Sequence, residues 1–288
     1  MRSQEQILSL IRSFASGHDS VRAVMMNGSR VNPNVPRDPL QDYDVVYFVR
    51  DVSEFRRQES IPAYFGDIMI LQLPEEMKDP TPDGSDLYIY LMQFKDGTRI
   101  DLGIDPVSRA RELGSDSLTV VLLDKDGILG EPPPPSDADY LTGSPTQKAF
   151  DDCCNEFWWL NPYVAKALWR DQLPLAKFFM EDPLRTQLIK MLGWGVVVRR
   201  GAPTALGKHG ANLRKYMTAS DWAMLERTYA GSDYGAIWES LRDAGTLFRS
   251  AARQVAGALR YDYPLLEDQS VSDFVQRIKG LPHGGEQV

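Results

Sequence analysis

Ile7, Leu10, Ile11 and Phe14 fall at helical spacing behind Ser3 and Gln6, which form a capping box, and Gly17 follows as a stop. The chain therefore opens with an amphipathic helix. The period then changes: runs rich in β-branched and aromatic residues at 21–27 (VRAVMMN), 44–49 (DVVYFV), 67–73 (DIMILQL), 87–94 (LYIYLMQF) and 98–104 (TRIDLGI) predict strands. The last two flank Lys95-Asp96-Gly97, whose Asp-Gly pair suits a tight hairpin turn, so they are expected to pair antiparallel. Asp105-Pro106 reads as a helix cap and first helical turn.

A proline run inside EPPPPSDADYLTGSP, 131–145, can continue neither a helix nor a central strand and separates two compositional halves. We place a boundary there, giving domains 1–135 and 136–288. Beyond it, Ser144-Pro145-Thr146-Gln147 reads as a second capping box, Asn161-Pro162 and Ser220-Asp221 as further helix starts, and Gly231 and Gly280 as stops. The expected fold is α+β, a mixed sheet with flanking helices followed by a helical bundle.

With 43% hydrophobic residues over 288 positions, the chain can bury sizeable cores. A formal charge of -8 argues against a sequence-independent hold on nucleic acid and favours a cationic ligand. The N-terminal pattern is that of an amphipathic helix and not a leader, and no apolar stretch reaches membrane-spanning length, so a soluble, cytoplasmic protein without a membrane partner is expected, with a monomer favoured. Cys153 and Cys154, the only cysteines, are adjacent in a helical pattern; they suit core packing, not a bridge or a zinc site.

The chemistry gathers between 27 and 44, NGSRVNPNVPRDPLQDYD. Side chains alternate along a strand, so Asp42 and Asp44 project to one side while Tyr43 and Val45 turn inward. Two carboxylates at close range call for a cation, and magnesium, which takes hard oxygen ligands and keeps waters for phosphates, suits them. Asp101, between Ile100 and Leu102 in the later strand, supplies a third acid. Gly28 permits close backbone approach to a ligand, Ser29 offers a hydroxyl and an N–H to a phosphate oxygen, and Arg30 adds positive charge.

A strand ending in Gly-Ser, a loop over 30–41, Asp-x-Asp entering the next strand and a later strand Asp resemble the nucleotidyltransferase superfamily signature. Across nearly the whole chain, MNGSR, NPNVP, QDYD, LPEEM, LMQF, RIDL, LLDKDG, FDDCCNEFWW and NPYVAKALWRD are similar to the streptomycin, or aminoglycoside 6-, adenylyltransferases. The resemblance implies transfer of AMP from ATP to a hydroxyl of an aminoglycoside, with streptomycin the expected acceptor and pyrophosphate the leaving group. It implies that Gly28 and Ser29 hold the triphosphate, that Asp42 and Asp44 hold magnesium, and that Asp101 ligates metal, accepts the hydroxyl proton, or does both in turn. The sequence alone leaves those last roles unseparated.

A polycationic acceptor calls for carboxylates and aromatic faces, and DDCCNEFWWLNPY supplies both, so Asp152, Glu156 and Trp159 are the expected acceptor contacts. Lys166, one helical turn before Arg170, is expected to reach the triphosphate, although the same spacing suits a solvated face. Trp158 and Trp159 cannot share a helix face, so one belongs to the core. Two other classes compete: a nucleotidyltransferase acting on a protein side chain, and a nucleotide-binding module without turnover. The tail, RIKGLPHGGEQV, carries no recognisable function.

Overall fold

A computed structural model describes residues 2–80 and 87–282, so the last six positions of the tail lie outside the described residues. The chain divides into two compact units, Met1–Asp139 and Tyr140–Val288.

The first unit opens with α1 (Gln4–Gly17), which carries the expected capping box between Ser3 and Gln6. Among the described residues six strands follow: β1 (Val21–Asn27), β2 (Tyr43–Val49), β3 (Ile68–Gln72), β4 (Tyr88–Phe94), β5 (Arg99–Pro106) and β6 (Val120–Asp124). Short helices α2 (Ser60–Phe65) and α3 (Ala110–Leu113) lie between them. The sheet order is β3-β4-β5-β2-β1-β6. Only the β2–β5 pairing at its centre is parallel; β4 and β5 form the expected hairpin.

Alternation assigns the two faces of the sheet different work. On one face Val24, Tyr43, Val45, Tyr47, Tyr88, Tyr90, Ile100, Leu102 and Ile104 join Ile7, Ile11 and Phe14 of α1 in the main core. The Tyr47 hydroxyl donates to the Ile11 carbonyl at 2.8 Å, tying helix to strand, and burial raises its pKa well above the ordinary tyrosine value. The opposite face has a small core of Ala23, Met25, Phe48 and Ala110, which leaves the middle of the sheet available for chemistry.

The second unit is helical: α4 (Gln147–Trp169), α5 (Leu173–Phe179), α6 (Arg185–Arg200), α7 (Ala219–Arg227), α8 (Tyr234–Leu259) and α9 (Leu265–Lys279). Its core centres on Phe157 and Phe248, stacked at 3.8 Å with Trp158 edge-on to both. Cys153 and Cys154 are free and buried there, as expected.

Several local readings need correction. β5 runs on through Asp105 and Pro106, which pair with Phe48 and Val49 of β2, so Asp105 does not cap a helix. Its carboxylate instead accepts from Arg109 at 2.5 Å. Thr146, not Ser144, caps α4 by accepting from the Ala149 N–H, and Thr218, not Ser220, caps α7 through the Asp221 N–H. Asn161-Pro162 does not start a helix: α4 continues through it, and the buried Asn161 amide donates to the Phe157 carbonyl at 2.8 Å beside the proline. β6 was not expected at all.

Candidate active site

The ladder register builds the site. Asn27 of β1 lies opposite Asp44 of β2, Asp44 opposite Asp101 of β5, and Asp101 opposite Leu91 of β4. Two acids are thus fixed side by side on parallel strands by backbone hydrogen bonding, on the face away from α1. Asp42 precedes the strand by one position, and buried Tyr43 separates it from Asp44.

Gly28 follows β1 directly, at φ +80°, and a Cβ there would stand 2.1 Å from Asp44 Oδ2. The glycine therefore answers to two demands, a left-handed backbone and the approach of the Asp44 carboxylate. Its carbonyl accepts from the Val31 N–H at 3.2 Å, folding the Gly-Ser segment into a turn with Ser29 exposed. The turn is pinned from the far end of its loop, where the Gln41 side-chain amide donates to the Ser29 carbonyl at 3.3 Å.

Arg30 departs from expectation. It is 7% exposed, its guanidinium lies 3.9 Å over the Tyr43 ring, and it donates to the carbonyls of Gln41 and Asp42. Those contacts bury its guanidinium and fix the loop that delivers Asp42.

Arg99 was missed. It donates to both oxygens of Asp101 at 2.8 Å and stands 3.5 Å from Asp42 Oδ2. Two positions before Asp101 on an alternating strand, it had to share that residue's face, so the period-two rule could have found it. Burial, then repulsion from Asp101 and Asp42, pushes Asp44 up to about 6. Asp42 is also raised, chiefly by burial, although Arg99 opposes the shift.

Among the described residues no group of three or more His, Cys, Asp or Glu is placed to hold a metal ion, and Asp101 and Asp42 face Arg99. The donor set nevertheless suits a hard dication: the groups are carboxylate oxygens, and the burial and mutual repulsion that raise Asp44 are what such an ion would offset.

From Asp44 and Asp101 a cavity of about 680 Å³ extends along the same sheet face. Its floor carries Met25, Val46, Gly103 and Ile89, and Asp105, Arg109, Glu112, Asp116 and Asp139 also line it. Asp105 is 3% exposed, and burial raises its pKa against the pull of Arg109. None of these was among the expected site residues.

The remaining expected residues belong to the second unit. Asp152, Glu156, Trp159 and Lys166 lie on α4 at spacings that form one stripe, and all are exposed. Asp152 pairs with Lys148 at 2.6 Å, and Lys166 Nζ lies 5.8 Å over the Phe274 ring. Trp158 is buried and Trp159 is 61% exposed, dividing core from surface as the helix period required. Among the described residues no helix is long and apolar enough to cross a membrane.

A family model described as streptomycin adenylyltransferase matches residues 1–278. An aminoglycoside 6-adenylyltransferase of Campylobacter jejuni is 38% identical over 280 residues, covering 97% of this chain and 96% of that protein. One from Bacillus subtilis (strain 168) is 33% identical over 280 residues, covering 96% and 98%. A crystal structure of an aminoglycoside 6-adenyltransferase from Bacillus subtilis covers 98% of this chain and 100% of its own, with 29% identity and a TM-score of 0.48.

Proposed function

Since the chain belongs to the streptomycin adenylyltransferase family, and is thereby a nucleotidyltransferase, we propose that it transfers AMP from ATP to a hydroxyl of an aminoglycoside, with streptomycin as acceptor and pyrophosphate leaving. The observation that carries this reading is the row of Asp44 and Asp101 on parallel strands with Gly28 folded against Asp44.

The Gly28–Ser29 turn presents backbone N–H groups and a hydroxyl to phosphate oxygens, without Arg30. Asp42 and Asp44 hold magnesium, which supplies charge neutralisation at the transferring phosphoryl group. Asp101 receives the acceptor hydroxyl proton, and the carboxylate is oriented for this by Arg99. Lys166 is kept as a triphosphate contact, and Asp152, Glu156 and Trp159 as contacts to the acceptor.

Pyrophosphate release from ATP and magnesium, with and without streptomycin, followed by mass analysis of the antibiotic, tests the reading. Stimulated release with a gain of one AMP supports it; no release with any aminoglycoside overturns it. Asp101→Asn should lower turnover far more than ATP affinity if Asp101 is the base, and an equal loss of both makes it a metal ligand.

A further inference from the structure

Gly103 sits mid-strand at the centre of the sheet, where a glycine weakens a strand relative to alanine. Nothing in the fold requires it. Its φ is not in the left-handed region, and an added Cβ would have only ordinary neighbours, Asp105 Oδ2 and Val46 Cγ2 at 3.6 Å and the Val45 carbonyl at 3.8 Å. Val46 and Ile89 are its register partners, and Val46 in turn pairs with Met25, so this row of the sheet face is apolar with a gap at its middle. The gap is part of the floor of the cavity.

Charge decides what can rest there. Beyond the catalytic row, Asp105 is paired with Arg109, and Glu112, Asp116 and Asp139 also line the cavity among the described residues. An acidic lining of this kind repels a triphosphate and attracts a polycation. Asn27, at the catalytic end, gives a further sign: its amide donates to Thr119 Oγ1 at 2.9 Å, while its Oδ1 is buried with no partner. A buried acceptor left so is destabilising, and an ammonium or hydroxyl donor would satisfy it. From Asp101 to Asp105 the strand advances about 13 Å, at roughly 3.3 Å per residue, a span suited to a ligand of more than one ring.

We infer that the acceptor lies along this face of the first unit, with its reacting hydroxyl at Asp101, one ring over Gly103 and a cationic group toward Glu112. Gly103 is then a specificity-determining position. The inference rests on the aminoglycoside reading and deepens it, naming contacts to the acceptor on the first unit.

Calorimetric titration of the full-length protein with streptomycin, and separately with ATP and magnesium, tests it. Gly103→Leu fills the gap and should weaken streptomycin binding at least tenfold while leaving ATP affinity within twofold; Gly103→Ala should fall between. Glu112→Gln, an exposed change that spares the fold, should weaken streptomycin about threefold and reduce the effect of salt. Wild-type binding left intact in Gly103→Leu and Glu112→Gln overturns the seat alone, and loss of ATP in place of streptomycin gives the cavity to the nucleotide. A wild-type protein that binds no streptomycin and adenylylates no aminoglycoside removes the acceptor reading and the seat together.

Discussion

A methyl group added at Gly28 would meet the Asp44 carboxylate at 2.1 Å on a backbone already at φ +80°. Gly28→Ala should therefore displace Asp44 and lose at least 100-fold in turnover, with about 1–2 kcal/mol of stability lost to the left-handed backbone; pyrophosphate release and thermal melts measure the two effects. Asp44 carries a second expectation. Its folded pKa is about 6 against an ordinary 3.8, so the folded state holds the proton more tightly than the unfolded one. The stability this gives is complete below about pH 4 and is lost as pH rises through about 6. Metal-free protein should therefore melt higher at pH 5 than at pH 7 through this group. Asp44→Asn should abolish that dependence and turnover together, and should stabilise the metal-free protein at pH 8 by on the order of 1 kcal/mol, allowing for solvent screening of a partly exposed group. A melt series from pH 4 to 8 with and without magnesium checks it. Asp42, Asp44 and the Gly-Ser pair were legible as a motif because they are local in sequence, and Asp101 by its place between two apolar residues of a strand. Arg30 was not, because its role depends on the Tyr43 ring and on carbonyls at the far end of its loop.

Elements show the same division between local and distant causes. The α1 capping box and the extent of β1 follow from nearest neighbours and appeared as expected. β6 did not, because its five residues are all half-buried and show no alternation; only pairing with β1 makes it a strand. The end of β5 was misread for a related reason: Asp-Pro favours a helix start locally, yet the parallel partner β2 holds the strand to Pro106. In the helical unit, α8 and α9 are joined by Asp268, which is 1% exposed and accepts from Arg249 at 2.5 Å, the Tyr263 hydroxyl at 2.7 Å and Ser272 Oγ at 3.1 Å. Burial opposes ionisation of Asp268, but Arg249 and Tyr263 hold its pKa below the usual value. This clamp should thus stabilise above about pH 4 and fail as pH falls through the lowered folded pKa. Asp268→Ala leaves Arg249 unpaired and should cost about 3 kcal/mol in chemical denaturation.

Across the whole molecule the charge of -8 and the proposed polycationic acceptor make a long-range prediction. Raising sodium chloride from 50 to 500 mM should raise the KM for streptomycin several-fold, with kcat nearly unchanged, because screening weakens capture of the cation more than chemistry at buried groups. Initial rates across that range decide it. Family and enzyme class were legible in motifs spread along the chain, whereas the cavity beyond Asp101 was not, since its walls come from segments far apart in sequence that only the sheet brings together. One feature of the helical core also makes the protein its own reporter. Both thiols of the chain lie in the second unit, Cys153 pushed up to about 12 by burial and Cys154 raised likewise, so neither offers a thiolate to an alkylating reagent while that core is closed. The time course of thiol labelling is therefore a clock for the opening of the helical unit alone, silent to every motion of the sheet.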